Sequence, residues 1–85
     1  MEIVFTDTAL NDLKAWKKSG NKIIQHRIEL LIQSIIENPF EGIGKPEALK
    51  YNYTGYWSRR INEEHRMVYS VAGEVITIVQ LRDHY

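Results

Sequence analysis

The chain contains no cysteine, which excludes disulfide bonds, thiol nucleophiles and cysteine-ligated zinc sites at one stroke. It also has no net charge, eleven Lys/Arg being balanced by eleven Asp/Glu. Proteins that hold nucleic acid by bulk attraction are basic, because phosphate contacts dominate their affinity, so any phosphate site here must be local. The second half repeats the balance, with Lys45, Lys50, Arg59, Arg60, Arg66 and Arg82 set against Glu47, Glu63, Glu64, Glu74 and Asp83. No apolar run approaches the length of a membrane span, and Met1-Glu2-Ile3-Val4-Phe5 lacks the charged and long apolar regions of a signal peptide. A cytoplasmic protein without a membrane partner is expected. No two of the three histidines share metal-ligand spacing with a carboxylate, so neither a metal nor another cofactor is expected.

What is present suits a small globular protein. Eighty-five residues, 44% of them hydrophobic, make one domain over residues 1–85, near the lower size limit for a single core. Internal repeats, linkers and low-complexity segments are lacking. Residues 2–6 read as a short strand. Thr6 or Asp7 can cap a helix in which Ala9, Leu10, Leu13 and Trp16 recur at helical spacing. Gly20 stops it and Asn21 can cap a second helix. There Ile24, Ile28, Leu31 and Ile35 form a stripe, widened by Ile23, Ile32 and Ile36, and Asn38-Pro39 ends it. So short a connection predicts an antiparallel helical hairpin.

Residues 39–50 hold both prolines, Gly42 and Gly44, and read as a surface loop. Three strand-like runs come after it, at about 55–61, 65–71 and 74–82, with tight turns at Asn62-Glu63-Glu64 and Ala72-Gly73. Helices followed by strands indicate an α+β fold: an N-terminal strand, then a helical hairpin packed on one face of a twisted, mainly antiparallel sheet of four to five strands. The other face is left open.

The stretch Tyr56–Tyr69 concentrates the chemistry. Arg66, Val68 and Ser70 share one strand face, and His65, Met67 and Tyr69 the other. With residue 63 at the centre of the turn, Arg60 stands opposite Arg66; a loop one residue longer would put Ile61 there instead. Like charges facing each other across a sheet destabilise it, so the pair suits an anion. Arg59, facing away from Arg60, is expected either in a salt bridge with Glu63 or Glu64 or at a phosphate. His65 reads as a structural hydrogen-bonding histidine, His26 as a surface residue, and Trp16, Trp57 and Tyr69 as core. Two further groups stand out. Glu47, in a proline-stiffened loop between Lys45 and Lys50, is a carboxylate kept ionised by basic neighbours, as a general base must be. His84 is a general acid or base suited to neutral pH, and it directly precedes Tyr85.

"GYWSRRINEEHRMVY", together with "NPFEGIGKPEALK" upstream and the closing "RDHY", resembles the YoeB/Txe family of bacterial toxins, within the wider RelE-like group. The blocks occur in order along the chain, and the three together are specific. The resemblance implies the toxin of a type II toxin–antitoxin pair, an endoribonuclease that cleaves messenger RNA in the ribosomal A site. It implies Glu47 as the base that takes the ribose 2′-hydroxyl proton and His84 as the acid that protonates the 5′-oxygen leaving group. Arg66 would stabilise the pentacoordinate phosphorane. Lys50, Arg60 and Tyr85 would hold RNA, the tyrosine by stacking. The implied partners are a YefM/Phd-like, partly disordered acidic antitoxin, the ribosome, operator DNA through the antitoxin complex alone, and a second copy of the chain. Two other functions fit the same fold: a ParE-like gyrase inhibitor, which needs no Glu47/His84 pair, and a catalytically inactive regulatory module.

Overall fold

A computed structural model describes residues 1–83; His84 and Tyr85 lie outside the described residues. In chain order the elements are β1 (Glu2–Phe5), α1 (Asp7–Ser19), α2 (Lys22–Glu37), β2 (Glu47–Ala48), a 3₁₀ turn at Tyr51–Tyr53, β3 (Tyr56–Arg60), β4 (Arg66–Ala72) and β5 (Val75–Gln80). Both helices start where a side chain satisfies a free backbone donor. Thr6 Oγ1 accepts from the Ala9 amide at 3.1 Å and Asn21 Oδ1 from the Ile24 amide at 3.1 Å, the usual role of an N-cap. Gly20 ends α1 in the left-handed region, φ 74°, where a side chain is disfavoured.

The five strands form one mixed sheet in the order β1-β5-β4-β3-β2, parallel between β1 and β5 and antiparallel elsewhere. The helices cover one face. Ile24, Ile28, Leu31 and Ile35 of α2 and Ala9 and Trp16 of α1 meet Met67, Tyr69, Ile76, Ile78 and Leu81 from the sheet. The hydrophobic stripe of α2 is thus the expected one, though narrower: Ile32 packs against the core, whereas Ile23 (84% exposed) and Ile36 (45%) do not. Leu10 of α1 is likewise exposed. Within residues 39–50, a surface loop by composition, Glu47 and Ala48 pair with Ser58 and Trp57 and add a short edge strand.

Two irregularities shape the end of the sheet and the loop beneath it. The first is a bulge in β5. Tyr69 pairs with Ile78 but Val68 pairs with Gln80, so Val79 has no partner in β4. Thr6 holds the bulge, its amide donating to Ile78 O and its Oγ1 to Val79 O. An extra residue reverses the alternation of everything beyond it. Gln80 therefore joins Val68 on the face away from the helices, and Leu81 returns to the core with no exposure.

The second is the burial of Arg59, which has no exposure. Its Nε donates to Tyr69 Oη (3.1 Å), Nη1 to Ser34 Oγ (2.7 Å) and Ile43 O (3.1 Å), and Nη2 to Asn38 O (2.7 Å) and Glu41 O (3.1 Å). Tyr69 Oη passes its own proton to Pro39 O at 2.6 Å. The expected ion pair with Glu63 or Glu64 does not form, and neither does a phosphate site, because Arg59 points into the helix-covered face. A guanidinium has five N–H bonds in a planar fork. Here backbone carbonyls and two hydroxyls engage them, pinning residues 38–43 beneath β3. Close approach of this loop requires glycine at Gly44, where φ is +84° and a Cβ would lie 2.6 Å from Leu31 Cδ2.

Arg59→Met should remove a fully buried donor group from five acceptors, one of them buried and the rest partly so, and lower the unfolding free energy by about 3–5 kcal/mol, read from urea denaturation. Arg59→Lys should recover little of it, since an ammonium cannot reproduce the fork. Burial raises the Tyr69 phenol pKa above its ordinary value of 10.0, against the opposing influence of the Arg59 hydrogen bond and charge. The folded state therefore binds this proton more tightly than the unfolded chain does. The resulting stability is complete below pH 10 and is lost as pH rises past it. Wild type should accordingly lose its stability margin over Tyr69→Phe in urea titrations carried from pH 8 to pH 11.

Candidate functional site

The face turned away from the helices is built from cross-strand rows. Directly paired residues point the same way, so the pairs Glu47–Ser58, Ser58–Val68 and Val68–Gln80 place these four side chains in one row across four strands. Two residues along, Arg60 and Arg66 are paired and share the same face. Ser58 and Val68, at the centre of the first row, are buried; Glu47 and Arg60 are exposed and Arg66 half-buried. A carboxylate and two guanidinium groups distant in sequence thus converge on one surface.

The hairpin that presents Arg66 closes with residue 63 at its centre, the first of the two registers the sequence allows, and pairs Arg60 with Arg66. Ile61 and Asn62 amides donate to His65 O, and Asn62 Oδ1 accepts from the amides of Glu64 and His65 at 2.9 and 2.7 Å. An asparagine that caps its own turn in this way fixes the loop without help from the core. Arg66 Nη1 donates to Asn62 O (2.7 Å), Glu63 O (3.2 Å) and His65 O (3.2 Å). Those contacts are to carbonyls, so no carboxylate neutralises the charge through them, and the guanidinium is held from one side by the turn.

Glu47 lies on an edge strand rather than in a loop, exposed. Beyond it Leu49, Lys50, Tyr51 and Tyr53 line, with Glu47 itself, an open cavity of about 370 Å³, so Lys50 and Glu47 border the same recess. A second cavity, about 460 Å³, is lined by Arg27, Lys45 and Arg60 together with Glu63. Arg60 therefore stands between the Arg66 row and a basic recess that sequence spacing does not reveal.

The end of β5 approaches the same place. Leu81 is gripped by α1: its amide donates to Asp12 Oδ2 at 3.0 Å and its carbonyl accepts from Trp16 Nε1 at 2.8 Å. Gln80 Nε2 donates to the carbonyls of Arg82 (2.8 Å) and Asp83 (3.3 Å). The Arg66 amide donates to Asp83 O at 3.1 Å. Residue 83 is thereby docked against Arg66, and the expected site residues His84 and Tyr85, outside the described residues, come directly after it in the chain. Pattern reading misses Asp12 and Gln80. One is a polar residue on an amphipathic helix, the other a glutamine in a strand, and only the clamp gives them a purpose.

His65 is structural, as expected. It is 9% exposed, packs its ring edge against Trp16 with centroids 4.8 Å apart and planes at 83°, and accepts the Asp83 amide proton at Nδ1 at 2.8 Å. His26 is exposed on α2, 3.9 Å from Glu29. Trp16 and Tyr69 belong to the core and Trp57 packs against it, again as expected.

No helix among the described residues is long and apolar enough to cross a membrane. Residues 5–85 match the model of the YoeB-like toxin of the bacterial type II toxin–antitoxin system. Toxin YoeB of Synechocystis sp. is 49% identical over the whole chain, covering 98% of that protein. Among solved structures, the YoeB/ParE toxin from Agrobacterium tumefaciens superposes with a TM-score of 0.93, at 40% identity and full coverage of both chains. YoeB of Staphylococcus aureus has been solved as a dimer (TM-score 0.90, 45% identity) and in a heterotetrameric complex with YefM (0.89, 45%), each comparison covering all of this chain and 98% of that one. With the family model matched over nearly its full length and a relative at 49% identity, the chain belongs to the YoeB-like toxins of bacterial type II toxin–antitoxin systems.

Proposed function

We propose that this toxin is a metal-independent endoribonuclease that cleaves messenger RNA in the ribosomal A site. The observation that carries the reading is the convergence of Glu47, Arg60 and Arg66 on one sheet face, with residue 83 docked beside Arg66. Glu47 takes the proton of a ribose 2′-hydroxyl, whose oxygen then attacks the adjacent phosphorus. Arg66 stabilises the charge that builds on the non-bridging oxygens. It suits the role because its guanidinium is always ionised and is already oriented by the turn carbonyls. His84 protonates the departing 5′-oxygen, leaving a 2′,3′-cyclic phosphate and a 5′-hydroxyl. Lys50 and Arg60 hold the backbone, and Tyr85 stacks on a base.

Ribosome dependence is what the family resemblance implies, and the charge agrees with it: a protein without net charge has no general attraction for RNA, and presentation by the ribosome would supply the affinity. On this reading the protein works in the cytoplasm. Its inhibitor is a YefM-like antitoxin, by analogy with the S. aureus complex, and the family resemblance implies that this partner is partly disordered and acidic. The pair acts on operator DNA through the antitoxin, and the toxin itself forms a homodimer, as the S. aureus protein does. The whole of residues 1–85 acts as one domain.

The test compares the purified protein on a programmed ribosome complex with the same mRNA free in solution. Cleavage on the ribosome alone, with a cyclic phosphate at the new 3′-end, is the expected result. Absence of cleavage by a folded protein would overturn the reading in favour of a gyrase-type or inactive relative. Glu47→Ala, Arg66→Ala and His84→Gln should each slow cleavage by about 100-fold or more while antitoxin binding survives. DNA in place of the RNA at the scissile nucleotide should be refractory, since it lacks the nucleophile.

A further inference from the structure

His65 sits where three parts of the molecule meet, and its side chain has a job that core packing does not require. Asp83 lies beyond the end of β5 at Gln80. Its carbonyl accepts from the Arg66 amide at 3.1 Å and from Gln80 Nε2 at 3.3 Å, and its amide donates to His65 Nδ1 at 2.8 Å. A side-chain nitrogen thus serves a backbone donor that no strand partner takes up among the described residues. Asp83 is held there with φ at +65°. That conformation is costly for a residue with a side chain, even for aspartate, which tolerates it better than most, and it persists only where the surroundings enforce it. Both polar backbone groups of Asp83 are engaged, one by the side chain of His65 and one by the backbone of Arg66.

Accepting a proton at Nδ1 requires the neutral ring with its hydrogen on Nε2. Nε2 faces the Glu64 carboxylate at 3.7 Å, while the Asp83 carboxylate lies 4.0 Å from Nδ1. The ring is wedged edge-on against Trp16, whose Nε1 holds Leu81 O. The backbone of the same histidine accepts from Arg66 Nη1. One residue therefore touches the guanidinium of Arg66, the indole that anchors Leu81, and the amide of Asp83.

We infer that His65 is a positioning residue: its Nδ1 fixes the peptide of Asp83 beside Arg66, and Asp83 is the residue that directly precedes His84 in the chain. The inference rests on the ribonuclease reading, in which His84 must reach the leaving oxygen while Arg66 holds the phosphate. A displacement of about 1 Å in such a group costs on the order of 100-fold in rate. His65 itself transfers no proton in this scheme.

Substitution separates the roles. The Oδ1 of asparagine hangs on Cγ as Nδ1 does and can accept the same amide, but asparagine cannot act as an acid or base. Glutamine places its polar atoms near Nε2 instead. On the programmed ribosome, His65→Gln and His65→Ala should lower the rate constant at saturation by about 10- to 100-fold with the half-saturating concentration changed by less than about two-fold, and His65→Asn should restore most of the rate. Wild-type rates in His65→Ala, or His65→Asn as slow as His65→Ala, would overturn the proposal. Hydrogen exchange of the Asp83 amide reads the brace without reference to cleavage. It should be protected in wild type and His65→Asn and fast in His65→Gln. An unprotected Asp83 amide in the wild type, or equal protection in all three, would equally overturn it, even if His65→Ala fails to fold. Wild-type protein that shows His65-dependent protection yet cleaves no RNA would remove the ribonuclease reading and, with it, the catalytic purpose assigned to the brace.

Discussion

A charged guanidinium buried without a carboxylate partner among the described residues is the constraint on which this small structure turns. Isolating such a group from water is costly unless every donor is engaged. Arg59 meets that demand by recruiting Ser34, Asn38, Glu41, Ile43 and Tyr69 around itself. Apart from Tyr69 on β4, the acceptors lie on the end of α2 and on the loop after it, so satisfying the charge also determines where the loop runs. Its course brings Gly44 against β3, where Gly44 O accepts the Arg60 amide at 2.7 Å, and three residues later Glu47 enters the sheet edge. A neutral residue at position 59 would leave a loop rich in glycine and proline with little to hold it.

The sheet then divides the labour between its faces. Toward the helices it is closed and, apart from Arg59 and His65, apolar. On the far side it gathers the exposed carboxylate of Glu47, the two arginines and the amide of Gln80. The bulge at Val79 makes this division compatible with the docking of residues 81–83, since without the extra residue Leu81 would face away from the core and Gln80 into it. The docking itself is a set of hydrogen bonds contributed by α1, β4 and the end of β5. Residues 81–83 thus lose their conformational entropy on folding rather than at each encounter with substrate.

Much of this is legible in the residues. The helix caps, the stripe Ile24–Ile28–Leu31–Ile35, the turn centred on residue 63 and the pairing of Arg60 with Arg66 all follow from rules that act over a few positions, where steric and hydrogen-bonding preferences need no distant partner. The structural character of His65 is legible too. The fate of Arg59 is not: strand alternation places it opposite Arg60 but cannot say that the helix-covered face will supply five acceptors in place of a carboxylate. Helical periodicity puts Ile23 and Leu10 on apolar faces and leaves them exposed, because it has no knowledge of how wide a face the sheet will cover.

By itself, then, the amino-acid sequence determined the α+β class, the element boundaries to within a few residues, and the candidate groups Glu47, Arg60, Arg66 and His84, because side-chain chemistry and local periodicity are properties of neighbouring positions. Only the tertiary structure decided that Glu47 belongs to an edge strand, that Val79 bulges, that Arg59 holds a loop rather than an anion, and that Asp12, Trp16, His65 and Gln80 together clamp residues 81–83. Most of those outcomes depend on satisfying polar groups between segments that lie from 10 residues apart, as Arg59 and Tyr69 do, to 69, as Asp12 and Leu81 do, beyond the reach of local periodicity.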